Sequence, residues 1–257
     1  MLTPPEIARS LLAAGESKAR LPFGKMLLLA ILAGAYIALA GVGATAAAVT
    51  VESGSLAKLL SACVFPAGLS MVILAGSELF TGNCLMVMAL LERRITPAQL
   101  LRNWLTVYLG NAVGGAAVAA LAVYSHTASL FGDGLARSMV SIAESKAALG
   151  FGDAFLRGVL CNFLVCLAVW MAAASKRAEG KVIALFFPIL LFVLCGYEHC
   201  IANLYYLPAG AFAAAEYGME TTLTLAGCLE NLAAVTLGNL VGGAVLGVGY
   251  RFAYLKE

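Results

Sequence analysis

Charge is what this sequence has least of. Of its 257 residues only 12% are Asp, Glu, Lys or Arg, and only two are histidine. Water-soluble domains carry about 25% charged residues, so the composition disfavours a soluble enzyme. The basic residues are scattered and the net charge is +2, which leaves no electrostatic footprint for nucleic acid. A metal centre needs ligands clustered at a fixed spacing. His199 is the one histidine inside an apolar segment, and Cys161/Cys166 and Cys195/Cys200 are spaced too widely for a zinc knuckle. No metal and no cofactor are expected. The seven cysteines are odd in number and lie almost entirely within apolar segments, which argues against a disulfide framework; they read as small packing residues. No signal peptide is expected, since the first 24 residues are polar and lack an apolar stretch followed by a cleavage site.

Long apolar runs are what the chain has in abundance: 62% of its residues are hydrophobic and its mean hydropathy is +0.93. Six stretches, about 25–50, 61–91, 98–124, 153–175, 181–211 and 226–250, exceed the roughly 20 residues that cross a hydrocarbon layer. The expected fold is an all-α polytopic membrane protein with six transmembrane helices in a lipid bilayer. Residues 1–24 predict a short amphipathic helix after Pro4-Pro5, with Ile7, Leu11 and Leu12 on one side, lying along the membrane surface. Residues 25–254 form the transmembrane domain.

Basic residues set the orientation of such a protein. With six spans, one side holds Arg9, Lys18, Arg20, Lys25, Arg93, Arg94, Arg102, Lys176, Arg177, Lys181, Arg251 and Lys256, whereas the other holds Lys58, Arg137, Lys146 and Arg157. Both termini are therefore expected on the cytoplasmic side.

Two motifs occur twice. GSELFTGN begins at Gly76 and GYEHCIAN at Gly196, and both read Gly-x-Glu-x-x-x-x-Asn. LGNAVGG at Leu109–Gly115 reappears as LGNLVGG at Leu237–Gly243, an offset of 128. Each half (25–124 and 151–254) thus has a plain span, a polar-interrupted span and an LGNxVGG span. Three spans per half make the second half enter the membrane from the opposite face, an inverted repeat of the kind that builds midplane sites between broken helices. The second and fifth spans are expected to break at Gly76, Gly82 and Gly196. Glu78 and Glu198 are expected to support the breaks by accepting hydrogen bonds from the freed N–H groups, with Asn203, Asn111 and Asn239 as further amide supports. The glycine pairs of LGNxVGG permit close helix approach. His199 is the ionisable group at the centre of the second break, and a buried ionisable group in a span is a candidate functional residue.

GSELFTGN, GVLCNFLVCLAVWMA, GYEHCIANLYYLPAG and ENLAAVTLGNLVGG together resemble the formate/nitrite transporter family, and the resemblance runs from about Leu27 to Tyr254. It implies an aquaporin-like six-helix pore assembled as a homopentamer in the cell (inner) membrane, a channel or transporter and not an enzyme. It implies that His199 is the central histidine, Thr81 its partner, and Lys146 and Asn162 the vestibule lysine and pore asparagine. It further implies a cytoplasmic slit of Leu79, Phe80 and Val165 and a periplasmic slit of Phe65, Leu69 and Phe192. The implied partners are a small monovalent anion and a proton. IANLYYLPAG is more like the formate-type branch, which puts formate first, with nitrite and hydrosulfide as alternatives. An aquaporin-type neutral-solute channel would carry paired Asn-Pro-Ala motifs, and none occurs.

Those roles are chemically coherent. A dry constriction of Phe and Leu offers no donors to replace an anion's hydration shell, and a bare ion there is heavily penalised. A weak acid avoids the penalty by crossing neutral. Lys146 would draw the anion in, Asn162 and Thr81 would hold it, and His199 would either give a proton or only hydrogen-bond.

Overall fold

The computed structural model describes residues 1–255; Lys256, counted above with the basic side, lies outside the described residues. The regular secondary structure of the described residues is entirely helical. Element α1 (Pro4–Ala19) is followed by α2 (Phe23–Ala48), α3 (Gly54–Val64), α4 (Pro66–Ala75), the single turn α5 (Phe80–Asn83), a 3-10 turn at Cys84–Met86, and α6 (Val87–Leu91). Then come α7 (Pro97–Tyr124), α8 (Gly134–Ala147), α9 (Phe151–Ala173), α10 (Ala178–Leu194), α11 (Cys200–Glu216) and α12 (Leu225–Tyr254).

Five of these are long and apolar enough to cross a membrane: α2, α3 and α4 read together as Gly54–Ala75, α7, α9 and α12. The remaining crossing is divided. Helices α10 and α11 have 17 residues each and are separated by a non-helical stretch that ends at His199. The second crossing is interrupted in the same way between α4 and α5. Leu105, Leu121, Leu156 and Leu229 are all more than half exposed, as expected of side chains facing lipid rather than water.

Two tight helix pairs frame the molecule, α2 with α7 and α9 with α12. The LGNxVGG glycines make both possible. A Cβ on Gly114 would overlap the carbonyl oxygen of Ile31, and one on Gly242 would overlap that of Val159. Ile31 and Val159 are themselves 128 residues apart, so the two pairs are copies of one contact. Backbone-to-backbone approach of this kind is how small residues hold helices together where water provides no drive.

Helix α1 departs from the expected surface-lying segment. Its Ile7, Ala8, Gly15 and Ala19 are buried against α6, α7, α9 and α12, and the N–H of Leu2 donates to the Ala174 carbonyl at 2.8 Å. Its apolar side covers protein rather than lipid because Gly15 lets it sit directly on Ala89 and Met86. Its counterpart is α8: residues 128 apart, Lys18 and Lys146, lie near the ends of the two helices. Each repeat therefore has a short leading helix in addition to its three crossings.

Candidate functional site

The site is built by the two breaks. Helix α4 ends at Gly76, whose φ of 76° is left-handed, with Gly76 and Ser77 N–H both bonded to the Val72 carbonyl at 3.2 and 3.0 Å. Helix α10 ends similarly at Gly196, φ 69°, with Tyr197 N–H on the Phe192 carbonyl at 3.0 Å. Glycine takes this conformation without a steric cost.

The extended residues that follow are tied to the neighbouring helix pairs. Glu78 N–H donates to the Leu29 carbonyl at 3.2 Å, and Glu198 N–H to that of Arg157 at 3.3 Å. Asn111 Oδ1 accepts from Phe80 N–H at 3.0 Å, while its Nδ2 donates to the carbonyls of Ala30 and Glu78 at 2.7 and 2.9 Å. Asn239 does the same with Cys200 N–H at 2.9 Å and the carbonyls of Gly158 and Glu198 at 2.8 and 2.9 Å. One amide side chain thus satisfies an N–H and a C=O of each break and ties them to a carbonyl of the neighbouring helix.

This corrects the expectation for the glutamates. A carboxylate only accepts, so it cannot serve a broken backbone's N–H and C=O together, whereas an amide can. Glu78 and Glu198 instead turn to lysines. Glu78 Oε1 takes Lys18 Nζ at 2.8 Å and its Oε2 takes Asn83 Nδ2 at 2.7 Å. Both Glu198 oxygens take Lys146 Nζ, at 2.9 and 2.8 Å, and Oε2 takes Asn203 Nδ2 at 2.7 Å. Asn83 and Asn203 also donate to Asn103 and Asn231, at 2.9 and 2.8 Å, and Asn231 Nδ2 reaches the Lys146 carbonyl at 2.8 Å. Lys18, Asn83, Asn103 and Asn231 went unnoticed as site residues, although the offset of 128 joins Lys18 to Lys146 and Asn103 to Asn231. Paired and hydrogen-bonded, these charges meet the condition for burial in an apolar surrounding.

At the centre, His199 caps α11. Its Nδ1 accepts from Ala202 N–H at 3.0 Å and its Nε2 lies 3.0 Å from Thr81 Oγ1. The backbone donor at Nδ1 assigns the ring proton to Nε2, which then donates to Thr81 and leaves the Thr81 hydroxyl proton free to donate onward. A second proton at Nδ1 would face the Ala202 N–H and break the cap. The Phe192 ring stacks on the imidazole at 5.8 Å between centroids, and Phe65 meets Phe192 edge-on at 5.6 Å.

Asn162 is placed differently from the expected anion donor. Its Nδ2 is spent on two carbonyls, Asn239 at 2.7 Å and Thr81 at 3.3 Å. It fastens the Thr81 turn to α12 and has no free N–H to offer a ligand. Phe80 packs edge-on against Tyr108 and Trp104, with centroids at 5.1 and 6.4 Å, and Val165 is buried.

Two separate cavities approach this centre. A wide vestibule of about 740 Å³ is lined by Lys146, Lys58, Arg137, Phe65, Phe192 and His199, among others. A narrow one of about 280 Å³ is lined by Lys18, Glu78, Leu69, Val72 and Leu79, among others. Leu69 therefore borders the narrow vestibule beside Leu79, while Phe65 and Phe192 border the wide one. Lys146 Nζ also stands 5.3 Å over the Tyr206 ring. Among the described residues no group of His, Cys, Asp or Glu is arranged to hold a metal ion.

A family model described as formate/nitrite transporter matches residues 5–253. A probable formate transporter of Methanothermobacter thermautotrophicus is 38% identical over 99% of this chain and 98% of its own length. The formate channel FocA of Haemophilus influenzae is 39% identical over 86% of this chain and 84% of its own. Among solved structures, an FNT family ion channel superposes with a TM-score of 0.86 at 32% identity, covering 96% of this chain and 98% of that one. A pentameric formate channel with formate bound gives 0.81 at 33% identity, covering 91% and 98%.

Proposed function

This chain belongs to the formate/nitrite transporter family, and we propose that it is a pore for a small monovalent weak-acid anion, formate first, with nitrite and hydrosulfide as alternatives. The observation that carries this reading is the His199–Thr81 contact at 3.0 Å, set between two vestibules that aromatic and aliphatic side chains close off. The anion approaches through the wide vestibule toward Phe65 and Phe192. An ion stripped of water there is unstable unless it is neutralised or given donors. The Thr81 hydroxyl is such a donor, freed for the anion because its oxygen accepts from the His199 Nε2–H. Because the Ala202 N–H occupies Nδ1, His199 acts as a neutral hydrogen-bonding group, and the proton that neutralises the anion travels with water or with the substrate. Leu79, Phe80 and Val165 form the slit toward α1, with Leu69 beside Leu79, and Phe65 and Phe192 form the slit toward α8.

Residues 25–254 are the pore domain, and α1 closes its inner end. The excess of Lys and Arg on the α1 side supports cytoplasmic termini in a cell (inner) membrane. The pentameric formate channel among the structural relatives supports a homopentamer with one pore in each protomer.

The test is a panel of formate, nitrite and hydrosulfide fluxes through purified protein in proteoliposomes, with pH clamped on each side. Saturable anion flux that rises with an inward proton gradient is expected. Flux of glycerol or water without flux of any of the three anions would overturn the reading.

A further inference from the structure

Lys146 does not present a bare cation to the wide vestibule, because both oxygens of Glu198 hold its ammonium group at 2.9 and 2.8 Å. Two other cations line the same cavity, Lys58 of α3 and Arg137 of α8, and Glu198 is the one carboxylate in that lining. Among the described residues neither Lys58 nor Arg137 makes an ion pair; the pairs formed are Lys18–Glu78, Arg20–Glu16, Arg94–Glu16, Lys146–Glu198, Arg177–Glu179 and Arg251–Glu92. Asp133, one turn before Arg137, does not reach it within salt-bridge distance. Arg137 Nη2 donates one N–H to the Gly132 carbonyl at 2.6 Å, which fixes the guanidinium over its turn; its second N–H and the uncommitted Nε and Nη1 leave one two-donor edge open. Hydroxyls of Ser61, Ser138 and Ser141 share the lining. The narrow vestibule has nothing comparable: its one cation, Lys18, is paired with Glu78. The uncompensated positive charge of the molecule's two entrances is therefore on one side and on two residues.

We propose that Lys58 and Arg137 form an oxyanion-capture site in the wide vestibule, separate from the Lys146–Glu198 pair, which favours formate and nitrite over hydrosulfide. The inference rests on the anion-pore reading and names the group that selects among its substrates. A guanidinium donates two parallel N–H bonds to a pair of oxygens, whereas an ammonium acts as a point charge. Formate and nitrite each present two oxygens to that fork. Hydrosulfide presents one sulfur and gains only the charge. Lys58 thus attracts every anion alike, and Arg137 discriminates.

The experiment uses sided proteoliposomes and measures initial anion entry through the wide vestibule at low and high ionic strength, for wild type, Lys58→Gln, Arg137→Gln and Arg137→Lys. At low ionic strength Lys58→Gln is expected to raise the half-saturating concentration of all three anions about 10-fold, the low end of what a charged cleft contributes to capture. The difference is expected to shrink at high ionic strength, where charges about 10 Å apart are already screened at 0.1 M. Arg137→Lys is expected to raise the value for formate and nitrite but not for hydrosulfide. Because capture precedes conduction, equilibrium binding of formate to the detergent-solubilised protein gives a second reading, expected to weaken in both Gln variants. Intact flux with unchanged half-saturation and unchanged formate binding in both Gln variants would overturn the capture site and leave the pore standing. Weakened formate binding in a protein that passes no anion would uphold the capture site and overturn the pore.

Discussion

His199 and Thr81 come from opposite halves of an inverted repeat and meet through Nε2 and Oγ1 at 3.0 Å. The repeat brings two breaks together, and the differences between its copies supply the chemistry. The position of His199 in the second copy is Leu79 in the first, and that of Asn162 is Gly34. One break thus contributes an apolar slit and a hydroxyl, the other an imidazole.

Thr81 is expected to matter through its hydroxyl. Thr81→Val keeps the shape and removes both the acceptor for His199 and the donor for substrate, so anion flux should fall more than about tenfold, the cost of roughly 1.4 kcal/mol or more from one lost hydrogen bond to a charged group. Thr81→Ser should retain most of the flux. Equal loss in both would show that the methyl group's packing is what counts.

Asn111 and Asn239 each make three buried hydrogen bonds, two to the groups freed by a break and one to a carbonyl of the neighbouring helix. Leu at either position leaves those groups unpaired, at about 1–3 kcal/mol each. Asn111→Leu and Asn239→Leu should therefore lower the thermal unfolding midpoint in detergent sharply, or abolish the folded peak in size exclusion. Asp, which accepts but does not donate, should be nearly as damaging. A midpoint within a few degrees of wild type would contradict the assignment.

The two lysine–glutamate pairs differ in exposure, which orders their worth. Lys146 is 15% exposed at its side chain and Lys18 31%, against 7% for each glutamate. Removing one partner of a buried pair costs about 3–5 kcal/mol, and solvent screening reduces that for Lys18. Lys146→Met should destabilise more than Lys18→Met, and Lys146→Met combined with Glu198→Gln should recover part of the loss. If the double variant is no better than the single, the pair is not coupled as the distances imply.

Much of this was legible in the sequence. The two Gly-x-Glu-x-x-x-x-Asn copies announced the breaks, and the LGNxVGG copies announced the two tight helix pairs. The hydrogen-bonding assignments were not, because an expected carboxylate cap and an observed amide cap leave the same trace in a sequence. Glu78 and Asn111 are both polar residues in apolar runs, and only the partner geometry tells which one meets the freed N–H. Lys18 was hidden for another reason. Counted as one more basic residue near a terminus, it counted toward orientation, while its offset of 128 from Lys146 tied α1 to α8. Asn162 looked like a free donor until its two carbonyl partners were in view.

One surface carboxylate offers a pH reading away from the membrane. Glu144 accepts from Thr222 N–H at 2.7 Å and from the Thr221 hydroxyl at 2.9 Å, and these bonds, the Thr222 backbone bond foremost, hold its carboxyl below the usual glutamate value. A depressed carboxylate contributes order that is fully present above the unfolded value of about 4.3 and is lost as pH falls through the folded one. Protection of the Thr222 amide, relative to an unstructured amide at the same pH, should fall as pH drops below about 4, and Glu144→Gln should remove that dependence. An amide whose protection ignores both changes would show that the contact does not order the segment.

The most direct measurement is formate uptake by proteoliposomes under a clamped proton gradient, for wild type and His199→Asn. Asparagine caps a helix as well as any residue, so α11 should keep its start while the Nε2–H contact to Thr81 is lost. Wild type is expected to take up formate faster when the outside is acidic, and His199→Asn to keep that dependence while its flux falls, because the proton travels with water or substrate and the imidazole orients the Thr81 hydroxyl. Loss of the proton dependence in His199→Asn would contradict the account and make the imidazole the proton donor, whereas uptake identical in rate and pH dependence would reduce His199 to a helix cap.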